Sequence, residues 1–370
     1  MNSLPTDTLQ HDVFRPRTDR EVADFLSQTT GLVAVRGGHT KPALIAGPSY
    51  RWLLHTDRLT GITDYQPSEF MISAQAGTKL ETINAELQAA GQYLPFDPPW
   101  IDDGATLGGA VASGLSGPTR LLYGGLRDFV LGIRFVDGLG KIVTGGAKVV
   151  KNAAGFDLPK MMVGSCGRLG VLLEVTLKVF PRPKTYRTVR FIGISLEKAC
   201  QLQTDIMKMG IGVAAIDLLP GADLWVRLAG PEEATRHTSE RLLNGYSNAE
   251  LVPQSPEELQ LWDNARDARW LPADHALVKV PLSPSTIVVL EKALARYALL
   301  HRYSGAGNVA WISWPIASPL AALDQLLFGL NLSGLVVRGT ECYRRLGVDH
   351  AVRLSQRIQH AIDPLRRFAG

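Results

Sequence analysis

The sequence predicts an α+β protein of two domains. Three observations lead there. At 370 residues the chain is too long for one ordinary hydrophobic core. Pro181-Arg182-Pro183 interrupts it near the middle, and the apolar pattern changes beyond that point. After the break the order reads strand, helix, strand, strand, helix, which predicts an antiparallel sheet covered by helices. The predicted division is 1–183, 184–338 and a C-terminal segment, 339–370.

In the first domain, Glu21–Thr29 reads as a short helix and Leu32–Val35 as a compact strand. Arg36-Gly37-Gly38-His39-Thr40-Lys41-Pro42 breaks that strand sharply. Phe70–Ala76 is apolar, and Gly77-Thr78 opens the next element. In Lys79–Ala90, Leu80, Ile83, Leu87 and Ala90 recur at helical spacing, with Gly91 placed to end the helix. Asp97-Pro98-Pro99 starts a loop. Val130–Val136 and Lys141–Thr144 flank Asp137-Gly138-Leu139-Gly140 as a hairpin. A short helix over Leu158–Val163 precedes a long strand over Val171–Phe180. In the second domain the predicted strands are Thr188–Ile194, Ala214–Leu218 and Leu224–Leu228, the last two around a turn at Pro220-Gly221. Helices are predicted over Leu196–Met209 and Glu232–Leu243. His275–Leu282, Val309–Trp314 and Leu335–Arg338 complete the sheet, and Val348–Ile362 is a final amphipathic helix.

Composition narrows the function. The net charge of +4 is small for this length and no run of five or six like charges occurs, so nucleic acid is a poor candidate partner. Cys166, Cys200 and Cys342 are far apart and form no C-x-x-C, which argues against a metal or iron–sulfur centre within the chain. This usage fits a reducing, cytoplasmic compartment. The first twenty residues are polar, without a signal-like core, and no apolar run is long enough to cross a bilayer.

The glycines carry the strongest signal. Of 36, 23 precede residue 184 and 13 follow it. Neither G-x-G-x-x-G, the P-loop pattern, G-x-S-x-G nor H-E-x-x-H occurs, which demotes an NAD dehydrogenase, an NTPase, a serine hydrolase and a zinc protease. What remains is a set of separate glycine-rich loops: Arg36–Lys41, Gly77-Thr78, Gly104–Gly114 and Gly164–Gly170. Without a Cβ the backbone can approach a large ligand, and its N–H groups can meet phosphate oxygens. Any one loop alone reads equally well as a tight turn.

Taken in order, these loops resemble the FAD-binding domain of the vanillyl-alcohol oxidase and p-cresol methylhydroxylase flavoproteins. The residues are Val35-Arg36-Gly37-Gly38, Ala76-Gly77-Thr78, Gly104-Ala105-Thr106-Leu107-Gly108-Gly109, Arg127–Gly132 and Gly164–Val171. Within that family the chain is most similar to the FAD-binding subunits of bacterial glycolate oxidases. The wording that carries this is Asp64-Tyr65-Gln66-Pro67-Ser68-Glu69, Leu94–Pro99, Lys151-Asn152-Ala153-Ala154-Gly155-Phe156-Asp157-Leu158 and Phe180–Pro183. The match is strong over about half the chain and thins to fragments such as Leu224–Leu228.

The resemblance implies the two-domain p-cresol methylhydroxylase-type FAD fold, with an α+β cap for substrate or partner. It places Gly37, Gly38, His39, Thr40 and Lys41 at the FAD pyrophosphate, and Gly77 and Thr78 near the nucleotide. Thr106, Gly108, Gly109, Ser113 and Gly114 fall beside the pyrophosphate and flavin. Arg127 and Asp128 fall in a run returning to the cofactor; a surface ion pair is the alternative reading. Gly164, Ser165, Gly167, Gly170 and Val171 fall along the adenosine end. Some relatives carry a covalent flavin–histidine bond in the first loop. The Gly-Gly-His-Thr-Lys spacing around His39 fits a noncovalent phosphate loop better. Cys166 reads as a small, half-buried residue without a redox duty.

A 2-hydroxy acid such as glycolate, the implied substrate, needs a base for its hydroxyl proton and a cation for its carboxylate. Arg190, Arg227, Lys279 and Arg338 are candidate cations, and His275 and His301 candidate bases; none sits in a motif, and no catalytic residue is assigned. The implied partners are a larger related flavin subunit and an iron–sulfur subunit, with peripheral association at the cytoplasmic face of the inner membrane through the complex. Alternative readings are a flavin relay or assembly subunit without a substrate site, and a self-sufficient FAD oxidoreductase with another substrate. The family's C-terminal segment returns to the FAD domain and often ends with Asn-Pro after Asp-Pro. Here Asp363-Pro364 is followed by Leu365–Gly370, without Asn-Pro.

Overall fold

The computed structural model describes residues 11–45, 50–146, 157–219, 221, 223–339 and 345–368. The wording at Lys151–Phe156, together with Pro220 and Cys342, lies outside them. Two sheets organise the N-terminal half. A small parallel sheet pairs Asp12–Phe14 and Val33–Arg36 on either side of Trp52–His55. A five-stranded antiparallel sheet runs in the order Ile62–Gln66, Met71–Gln75, Val171–Lys178, Val130–Val136, Ile142–Gly146.

The predicted hairpin is held by its own aspartate. Asp137 Oδ1 accepts from the N–H groups of Leu139 and Lys141, both at 2.9 Å, and Gly140 takes the positive φ of the turn. The helix Leu80–Ala89 buries Leu80, Ile83 and Leu87 and ends at Gly91 with φ +67°.

Beyond Pro181, a nine-stranded antiparallel sheet begins at Thr185. Its order is Ala249–Val252, Thr185–Ile192, Asp223–Gly230, Val213–Leu219, His301–Ser304, Val309–Pro315, His275–Pro281, Ser333–Arg338, Arg345–Gly347. The helices Leu196–Lys208, Glu232–Gly245, Ile287–Leu294 and Leu320–Gly329 contribute Ile206, Leu242, Leu290 and Leu327 to its core. The N-terminal half has its own core, which takes in Leu277 and Val337 from this sheet.

Several contacts join the halves. Trp100, 1% exposed, donates its backbone N–H to Asp267 Oδ1 (2.6 Å) and its indole N–H to the Asp267 carbonyl (2.8 Å). After the helix Val352–Ile362, the chain comes back to the small parallel sheet: the Val33 N–H donates to the Arg367 carbonyl at 2.7 Å, and Phe368 packs with Val22, Phe25 and Leu54.

Candidate functional site

The glycine loops converge because each needs the others' glycines. A Cβ on Gly38 would fall on the carbonyl oxygen of Gly104, and one on Gly37 on the Thr106 hydroxyl. A Cβ on Gly108 would lie 2.8 Å from that of Ala76; the Gly108 N–H instead donates to the Ala76 carbonyl at 2.7 Å. Thr106 caps the helix Leu107–Ser113 by accepting from the Gly109 N–H. Behind that helix, the Gly164 and Cys166 N–H groups donate to the carbonyls of Val111 and Ala112.

This packing leaves one cleft. Its lining includes Gly37, Gly38, His39, Thr40 and Lys41 from the first loop, and Thr106, Gly108, Gly109 and Ser113 from the second. Ser165, Gly167 and Gly170 come from the third. Two features of the cleft wait for a ligand. Among the described residues, the N–H groups of Gly37, Gly38 and Thr40 have no protein acceptor. The Ser165 hydroxyl, in a residue 5% exposed, has no partner either. Unpaired donors along glycine loops suit the oxygens of a diphosphate, so the residues present fit FAD.

The remaining expected residues do not line the cleft. Gly77 is crowded by the carbonyls of Thr56 and Leu59, and Thr78 exchanges hydrogen bonds with the Gly61 backbone (2.9 and 3.2 Å). Both hold the strand end that carries the glycine helix. Gly114, φ +62°, terminates that helix against Gly164. Val171 is fully buried in a neighbouring core. Arg127 and Asp128 are exposed, and Asp128 accepts from the Gly125 N–H at 2.9 Å, closing a local turn.

Cations gather at one edge. The Lys41 ammonium sits 5.4 Å from the centre of the Trp100 ring, and the Arg338 guanidinium 5.3 Å from the same ring. Burial, then the like charge of Arg338, brings the Lys41 pKa down to about 8. Burial, then Arg120, does the same for Lys279, and both lysines sense Cys166 in the cleft wall. Burial pushes the Cys166 thiol up, which favours its protonated form. Lys41, Lys279, Arg338 and Arg120 form no ion pair with any described residue. Sequence reasoning missed Trp100 and Arg120; the one visible signal was the Asp97-Pro98-Pro99 run, which delivers Trp100 with φ +61°.

The other candidates are engaged elsewhere. Arg190 pairs with Asp223 and Glu250. Arg227 faces Glu258 at 3.4 Å within the cap. His301 is held between the Leu299 carbonyl (2.8 Å) and Glu291, whose contact raises its pKa against the opposing effect of burial. His275 meets Asp274 at 2.8 Å. Neither histidine lines the cleft.

The comparisons with known proteins agree with this geometry. The profile of a family described as FAD binding domain matches residues 12–146. The fold is shared with a solved alkyldihydroxyacetonephosphate synthase, at a TM-score of 0.71 and 16% identity, over 96% of this chain and 76% of that one. Fold and cleft thus define an FAD-binding flavoprotein of the p-cresol methylhydroxylase type, and the cofactor is FAD. Glycolate oxidase subunit GlcE of Escherichia coli is 38% identical over 265 residues, which cover 70% of this chain and 74% of that protein. Glycolate oxidase subunit GlcD of Bacillus subtilis is 33% identical over 147 residues, and D-lactate dehydrogenase of Anaerostipes hadrus 35% over 133; the chain spans only 31% and 28% of their lengths. The chain belongs to the family of GlcE-type FAD-binding subunits, a branch of the FAD-dependent oxidoreductases.

Proposed function

We propose that this chain is the FAD-binding subunit of a multi-subunit oxidoreductase that oxidises the CH–OH group of a small 2-hydroxy acid such as glycolate. The observation that carries the proposal is the kinship with GlcE, which extends over most of both chains. The cleft supports it. The free N–H groups of Gly37, Gly38 and Thr40 and the Ser165 hydroxyl would hold the FAD diphosphate. Lys41, Lys279 and Arg338 would orient an anionic group at the edge, and Trp100 would keep their charges apart while excluding water. When bound, the flavin supplies the hydride acceptor. The relatives' description as subunits favours a multi-subunit complex; in it a larger related flavin subunit and an iron–sulfur subunit would carry electrons onward, in the cytoplasm or at the membrane periphery. No helix among the described residues is long and apolar enough to cross a membrane.

A second reading, a flavin relay without a substrate site, is favoured by the placement of His275 and His301 outside the cleft. Anaerobic mixing of the FAD-loaded chain with glycolate separates the two. Flavin bleaching by the chain alone supports substrate oxidation here. Bleaching only after the partner subunits are added supports the relay, and no bleaching with the full set of partners contradicts both.

A further inference from the structure

The fold forms a second pocket, open to solvent on one side and of about 290 Å³, where both halves and their connection meet. Tyr93 and Asp97 come from the N-terminal half, Arg182 and Tyr186 from the connection and the first cap strand, and Arg227 and Arg266 from deeper in the cap. None of these residues lines the glycine cleft.

Arg227 is the informative member. Its side chain is 10% exposed, and its guanidinium lies 4.3 Å from the centre of the Tyr186 ring and 5.6 Å from that of Trp262. Its Nε makes no hydrogen bond, although Glu258 is 3.4 Å away, and its two terminal nitrogens donate to no described acceptor. Glu258 is already engaged by the Thr188 hydroxyl. A buried guanidinium N–H left without an acceptor, as the Nε–H is, is costly. Arg266, in the same cavity, is fully committed: it donates to Asp263 (2.8 Å) and to both carboxylate oxygens of Asp267 (3.0 and 2.8 Å). Asp97 lies 3.9 Å from Arg266 and accepts from the Thr119 N–H, and burial raises its pKa, weakening it as a competitor for Arg227. Arg182, at the exposed rim, has no ion pair with a described residue.

We propose that this cavity is a second binding site, for a small monocarboxylate gripped by the planar fork of Arg227 with Arg182 at the entrance. A guanidinium edge matches a carboxylate in two parallel hydrogen bonds. Burial raises the Tyr93 and Tyr186 hydroxyls above their ordinary range, so both remain donors. Of the carboxylates in the wall, Asp263 is engaged by Arg266, and burial moves Asp97 toward its neutral form. Because its walls come from both halves, the bound acid braces the cap against the FAD domain. The site stands apart from the flavin cleft, so its failure leaves the proposed function in place.

Calorimetric titration of the FAD-loaded chain with acetate, and separately with inorganic phosphate, tests this. Acetate is expected to bind saturably, roughly tenfold more weakly in Arg227→Lys and about threefold more weakly in the rim variant Arg182→Gln, with flavin content unchanged in both. Arg236→Gln, on an exposed helix face away from both sites, should leave acetate affinity unaltered. The proposal is overturned by no saturable binding, by unchanged affinity in both Arg227→Lys and Arg182→Gln, by loss of binding in Arg236→Gln, or by phosphate binding more tightly than acetate.

Discussion

Gly38 meets Gly104 so closely that one added methyl group must push the first and second glycine loops apart. Gly38→Ala is therefore expected to cost about 1–3 kcal/mol, as overpacking does, and to lower the flavin-to-protein ratio of the purified chain. Gly91→Ala, outside the cleft, is the control: φ is +67° there and nothing lies within 4 Å of its Cβ. It should cost roughly 1–2 kcal/mol of backbone strain while FAD is retained. Equal flavin content in wild type and Gly38→Ala would contradict the loop packing. The lysines predict a pH dependence. With folded pKa values of about 8 against an ordinary 10.5, Lys41 and Lys279 hold fewer protons folded than unfolded between those limits. Stability of the cofactor-free chain should then rise as pH increases from about 8 toward 10.5. Affinity for the anionic cofactor should fall as pH rises through 8, because the ammonium form is the one that attracts it. Urea midpoints and FAD titrations across that range, repeated on Lys41→Met, check both slopes; parallel slopes in wild type would contradict the assignment.

The C-terminal segment shows how a few residues fix an element. Asp363, fully buried, accepts from the N–H groups of Arg367 (2.7 Å) and Phe368 (2.9 Å), and the Arg367 guanidinium reaches the Leu26 carbonyl and the Thr29 hydroxyl. Phe368→Ala should cost about 3–5 kcal/mol, read from chemical denaturation, because its ring fills a core shared with the small parallel sheet. Elements with a clear period were legible: Leu196–Lys208 and Glu232–Gly245 begin where the sequence placed them, and the Asp137–Gly140 hairpin follows from its turn residues. Others were hidden. Leu320–Gly329 is apolar nearly all round, so its period is faint, and it leaves Phe328 67% exposed. Pro256–Arg266 has only a Ser-Pro-Glu-Glu start to mark it. The strands Asp12–Phe14, Trp52–His55 and His301–Ser304 have three or four residues each, too few for an alternation to show.

At the scale of the molecule, the cleft was legible where glycines mark contact and illegible where side chains from distant segments meet. Gly37, Gly38 and Gly108 announce close approach in one dimension. The meeting of Lys41 with Trp100 and of Trp100 with Arg338 spans almost three hundred residues and depends on how the cap docks. Asp267 fixes that docking through its two bonds to Trp100. Asp267→Ala should cost about 1–3 kcal/mol by leaving the Trp100 N–H unpaired, and should weaken anion binding at the lysine edge more than FAD binding in the loops. The central claim is that FAD lies along the three glycine loops. Titrating the cofactor-stripped chain with FAD and following quenching of flavin fluorescence tests it directly, for wild type and Gly38→Ala side by side. The account predicts one flavin per wild-type chain and a marked loss of affinity in the variant; identical binding curves, or a wild-type chain that takes up no flavin even beside its partner subunits, would contradict it.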